Sequence, residues 1–134
     1  MKQAVTLLVT ILLLVSTLIC SASVAEVQPQ ANLYFASASV AFDTRGYTVF
    51  SAFTTYVADR IAVASCSLQV EDGDSWETIQ YLNPPGYVAM NTVTYSAEKT
   101  FSLNCESGKN YRIKAVFSAD GHTVVRYSNE LDDF

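Results

Sequence analysis

Catalysis or ligand binding in a short chain needs a nucleophile, a poised acid or base, or convergent polar side chains. His122 is the sole histidine and follows Gly121 in an Asp-Gly turn signal. A catalytic role would require a nucleophile or carboxylate held within hydrogen-bond reach. Nothing near it in sequence supplies one held by a supporting second shell, so a solvated turn residue is the simpler account. Glu71, Asp72 and Asp74 lie together, but the helix–loop–helix calcium pattern needs more oxygens at fixed spacing over twelve residues. A hairpin turn with solvated acids explains them better. No glycine-rich phosphate loop, zinc spacing, nucleophile elbow or supported carboxylate dyad is present. The expectation is a protein that is not an enzyme and carries no cofactor or metal.

Two groups of residues suit binding. Trp76, Tyr81 and Tyr87 flank the Asn83-Pro84-Pro85-Gly86 loop. Exposed together they would stack on a sugar or grip a protein, although a lone Trp in a small β domain is more often core. Arg112, Lys114 and Arg126 form the second group, on a hairpin closed by Asp120-Gly121. The hairpin's register decides their positions. A two-residue loop sets Phe117 against Val124 and Ala115 against Arg126, which puts a charge on the apolar face. A three-residue loop, Ala119 to Gly121, sets Phe117 against Thr123, Ala115 against Val125 and Ile113 against Tyr127. One face is then nearly all apolar, so hydrophobic patterning favours the longer loop. That register puts Arg112, Lys114 and Arg126 on one outward face, Lys114 opposite Arg126. Two readings stay open: ordinary surface charge with Glu71 as a counter-ion, or a basic patch suited to an acidic or sulfated partner.

The elements that would position these residues are strands. Leu33–Phe42 alternates, Asp43-Thr44-Arg45-Gly46 turns, and Tyr47–Val57 is rich in β-branched and aromatic residues. Val49 and Phe53 lie on one face of the latter, Phe50 and Tyr56 on the other, so it is central to a sheet or covered outside. Ala58-Asp59-Arg60 reads as a turn into Ile61–Glu71, where Ala62, Ala64, Cys66, Leu68 and Val70 share a face. Trp76–Leu82 follows. In Tyr87–Cys105, Lys99 falls on the apolar parity, and a turn or bulge near Ala97-Glu98-Lys99 would relieve it. Tyr111–Ser118 and the closing strand complete about seven strands with no usable helix. This is an all-β pattern, a single antiparallel β-sandwich.

Residues 1–25 read as a secretory signal peptide. Met1-Lys2 precedes a long apolar run, and Ser23 and Ala25 stand at the −3 and −1 positions. Residues 26–32 form a flexible lead-in, 33–130 the β domain and 131–134 a short acidic tail. The alternative is a retained N-terminal anchor. The whole chain has 134 residues and a net charge of −5, and loss of Lys2 makes it one unit more acidic. Nucleic acid and anionic membrane are poor partners for such a domain. The mature product is expected to be extracellular and free of the membrane. Of three cysteines, Cys66 and Cys105 remain after cleavage, and an oxidising compartment favours their pairing.

The last third, Gly-Lys-Asn-Tyr-Arg-Ile-Lys-Ala, an Asp-Gly turn and a strand ending Tyr-Ser-Asn, resembles the final strands of fibronectin type III and other immunoglobulin-like modules. That resemblance implies a packing role for Tyr111. The leader, the Ser-Leu-Gln strand, the Trp hairpin and the Gly-Lys-x-Tyr-Arg strand resemble a group of short, uncharacterised secreted proteins of Gram-positive anaerobes. The expected function is a secreted, non-catalytic binding module for an extracellular protein or glycan. The alternative is a carbohydrate-binding or inhibitory module using Trp76–Tyr87.

Overall fold

The computed structural model describes residues 32–134, and the expected signal peptide and nearly all of the lead-in lie outside these residues. The described chain is all-β, with strands β1 (Phe35–Phe42), β2 (Tyr47–Asp72), β3 (Ser75–Leu82), β4 (Ala89–Thr100), β5 (Tyr111–Ala119) and β6 (His122–Tyr127). They form one antiparallel sheet curled into a half-barrel. Six strands replace the expected seven because Tyr47–Val57 and Ile61–Glu71 are one continuous 26-residue strand.

β2 is the axis of the molecule. Its first half lies between β1 and β4, and its second half lies between β5 and β3. A strand far longer than usual serves both halves only by bending, and register shifts supply the bend. Between Phe53 and Ala58, β2 advances five residues while β4 moves only from Thr94 to Thr92. Ala58-Asp59-Arg60, expected as a turn, is this bend. Its backbone needs are met from β5–β6: Asp59 N and Arg60 N donate to the Asp120 carboxylate at 3.1 and 2.9 Å. Asp120 N donates back to Arg60 O at 3.1 Å. An outside carboxylate thus removes the reason for the chain to turn.

A second bulge, between Val63 and Ser65 against β5, resets the parity of β2. Ile61 and Val63 are buried before it, and Cys66, Leu68 and Val70 after it, so Ala62 and Ala64 do not share the inner face with Cys66. Phe50 and Phe117 meet edge-to-face in the core at 6.4 Å, and Tyr95 meets Phe117 likewise. Tyr111 is buried, with its hydroxyl accepting from Glu106 N at 2.7 Å. Lys99 shares the apolar parity without any turn: its Nζ lies over the Phe101 ring at 5.5 Å and donates to Asn83 O at 2.9 Å.

The β5–β6 turn has two residues, Asp120 and Gly121, with φ of +50° and +85°, the signature of a type I′ turn. Phe117 faces Val124, Ala115 faces Arg126 and Lys114 faces Tyr127, which corrects the three-residue register. Turn geometry outweighed hydrophobic patterning because Arg126 sits near the sheet's end, where its Nη1 reaches Val125 O at 2.9 Å. β1 also comes close to β6. There the Asn129 side chain accepts from Phe42 N and donates to Phe42 O, both at 3.0 Å. The acidic tail is docked: Tyr111 and Leu131 exchange backbone hydrogen bonds, and Phe134 packs edge-on against Tyr111 at 5.3 Å.

The expected Cys66–Cys105 disulfide is not formed, and both residues are thiols. Cys66 points into the core beside its partner strand, with Sγ 3.7 Å from Leu82 O. Cys105 lies in the irregular segment after β4, not on the strand that would have presented it to Cys66.

Candidate functional site

The outer face of β3, β2, β5 and β6 collects most of the candidate binding residues. Tyr81, Ser67, Lys114 and Tyr127 form one row of cross-strand neighbours. Thr78, Gln69 and Arg112 form the next row. Trp76 stands opposite Glu71 beyond them. Regular alternation would put Trp76 and Tyr81, five residues apart, on opposite faces. The register shift between Leu68 and Gln69, which leaves Ile79 unpaired, brings Tyr81 to the same side as Trp76.

Arg112 organises one end of this face. Its guanidinium lies over the Trp76 ring at 4.2 Å and over the Tyr127 ring at 3.9 Å. Its Nε donates to Gln69 Oε1 at 2.9 Å, and Gln69 Nε2 donates to Thr78 Oγ1 at 3.3 Å. Two aromatic faces and an amide hold the cation in one orientation. Trp76 is therefore half-buried on the outside of the sheet and not a core residue. Arg112 also has carboxylates for company. Asn110 Nδ2 donates to Glu71 and Glu130, at 2.9 and 3.1 Å, and Glu130 acts on Arg112 through space.

Among the described residues the ion pairs are Arg45–Asp43 and Lys109–Glu106, so Lys114, like Arg60, Lys99, Arg112 and Arg126, has none. Beside it a groove of about 170 Å³ is lined by Ser65, Ser67, Thr78, Tyr81, Lys114 and Val116, with the Cys66 strand at its floor. Tyr81 is 89% exposed and Ser67 only 6%, so the groove has a projecting aromatic wall and a recessed hydroxyl.

Two candidates lie elsewhere. Arg126 faces Ala115, on the opposite side of the sheet from Lys114. Tyr87 leans on Tyr95, ring centroids 5.6 Å apart, and its carbonyl accepts from the Tyr95 hydroxyl at 3.2 Å. The structure thus divides both expected groups and joins parts of each. Tyr127, Gln69, Ser65, Ser67 and Thr78 were not singled out by the sequence, because only the bulges and the two-residue turn give them common orientation.

The His122 imidazole lies flat on the Tyr34 ring at 3.4 Å. Burial pushes both the Cys66 and Cys105 thiols up to about 11, away from the thiolate that chemistry needs. The acidic β2–β3 turn is a tight Gly73-Asp74 hairpin with Gly73 at φ +61°. Among the described residues no group of three or more His, Cys, Asp or Glu is placed to hold a metal ion. Neither a family model nor a curated protein nor a solved structure matches the chain.

Proposed function

We propose that the protein is a secreted, non-catalytic binding module whose ligand docks on the outer face of β3, β2, β5 and β6. The observation that carries this reading is the convergence of Trp76, Arg112, Tyr127, Tyr81 and Lys114 on one face. Fixing Arg112 between two rings presents a rigid, partly aromatic surface, the kind on which binding energy concentrates. The stacked His122 and the raised thiols support binding over catalysis. An extracellular protein or glycan is the partner, not nucleic acid, because the net charge is −5. Within this reading the β5–β6 hairpin corresponds to the closing strands of an immunoglobulin-like sandwich, and residues 1–25 to its secretory leader.

An array of purified polysaccharides and extracellular matrix proteins, probed with the purified chain, tests this. Retention should fall in Tyr81→Ser and Lys114→Ser, and persist in Phe53→Ser, which alters the outer face of the other half. Retention insensitive to Tyr81 and Lys114 but lost in Phe53→Ser would contradict it.

A further inference from the structure

We infer that the groove between Tyr81 and Lys114 takes a single terminal uronic acid, a sugar ring carrying one carboxylate. The inference rests on the binding reading above and names its ligand class. Tyr81, Ser67 and Lys114 are successive partners across three adjacent strands. At about 4.8 Å per strand, Tyr81 and Lys114 stand roughly 10 Å apart along the sheet. A pyranose ring fits that span, and the 170 Å³ groove is smaller than the roughly 300 Å³ and more of pockets that enclose larger ligands.

Each lining group has a use for such a ring. The exposed Tyr81 face offers apolar contact to the C–H side of the sugar. Ser65, Ser67 and Thr78 present hydroxyls that both donate and accept, matching sugar hydroxyls. Lys114 supplies a cation with three donors and no carboxylate of its own among the described residues. A charge-assisted bond from ammonium to carboxylate is the strong contact here. Arg112 is not that contact: it does not line the groove, its Nε donates to Gln69 and its faces lie on Trp76 and Tyr127. It holds the sheet beside the groove in place.

The charge balance sets the number of anionic groups. Lys114 is the single charged residue lining the groove, and on a chain of net charge −5 it attracts one carboxylate locally while the chain repels a polyanion approaching from solution. A chain end bearing a single uronate satisfies both conditions. Long sulfated or polyuronate chains do not.

Calorimetric titration of the purified chain with cellobiose and with cellobiouronic acid isolates the carboxylate, since the two differ in that group alone. Cellobiouronic acid should bind at least about tenfold more tightly, the scale of a hydrogen bond to a charged group, and weaken as salt rises. Lys114→Gln should erase that preference, Lys114→Arg should restore most of it, and Tyr81→Ala should weaken both sugars several-fold. Thermal unfolding of each variant confirms that the fold is retained. Equal affinity for the two sugars, binding of neither, or a preference that survives Lys114→Gln overturns the inference. So does Lys114-dependent binding of an oligoglutamate peptide without binding of cellobiouronic acid, which would assign the groove to an acidic protein. If the inference falls while array retention still depends on Tyr81 and Lys114, the binding reading stands; if that dependence is also missing, both fall.

Discussion

Asp120 does two jobs. Its backbone at φ +50° makes the first half of the β5–β6 turn, and its carboxylate receives the amides that the β2 bend leaves without strand partners. Those bonds, with that of Arg60 first, hold its carboxyl below the ordinary carboxylate value. A lowered folded value means stability that is present above the unfolded value of about 3.9 and lost as pH falls through the folded one. Asp120→Ala should therefore lower the Tm at pH 7 and reduce the acid sensitivity of the Tm below pH 4. Thermal melts of both proteins across pH 2–7 would show it, and parallel pH profiles would refute it. Gly46 is constrained as tightly. At φ +83°, an added Cβ would strike the Phe101 carbonyl oxygen, while Gly46 O accepts from Phe101 N at 2.9 Å. Gly46→Ala should cost more than the roughly 1–2 kcal/mol of left-handed backbone alone, as read by chemical denaturation. For the cysteines, peptide mapping after denaturing, non-reducing alkylation should find adducts on both Cys66 and Cys105. Their absence until reductant is added would mean a disulfide.

Among the elements, β2 carries the fold. It pairs with four other strands, and its inward Phe50 is fully buried. Phe50→Ala should cost about 3–5 kcal/mol, measurable by urea denaturation. Hydrogen exchange should be slowest in the central strand β2 and continuous in protection through the bend at Ala58–Arg60. Rapid exchange confined to Asp59 and Arg60 would mean that Asp120 does not hold the corner. The strands themselves were readable: alternation in Leu33–Phe42 and Tyr111–Ser118 marked β1 and β5 closely, and the turn signals on either side of Trp76–Leu82 marked β3. The bend was not, because the groups that satisfy Asp59 and Arg60 come from a residue some sixty positions away. The hairpin register failed for a related reason. Patterning argued against an inward Arg126, but placement near the sheet's end makes that position tolerable, and Asp-Gly prefers the two-residue turn.

At the scale of the whole molecule, curling the sheet produces both core and face. The concave side buries Phe50, Phe117, Ile113 and Tyr111, and the convex side of its second half is left to present Trp76, Arg112, Tyr127, Tyr81 and Lys114. Half of this face was legible in the sequence, as two unrelated groups of residues. Their union depended on one unpaired residue, Ile79, and on a turn one residue shorter than patterning suggested. The C-terminal segment belongs to the domain through Leu131 and Phe134. Deleting residues 131–134 should lower the Tm by several degrees, through loss of the Tyr111 bridge and of aromatic packing.

The most direct test of the central claim, that this outer face is the ligand surface, is a proton–nitrogen NMR titration of the chain with cellobiouronic acid. Shifts should concentrate at Ser65, Ser67, Tyr81, Lys114 and Val116, with little change at Phe53 or Val93. Shifts centred on Phe53 and Val93, or spread evenly over both halves of the sheet, would contradict it.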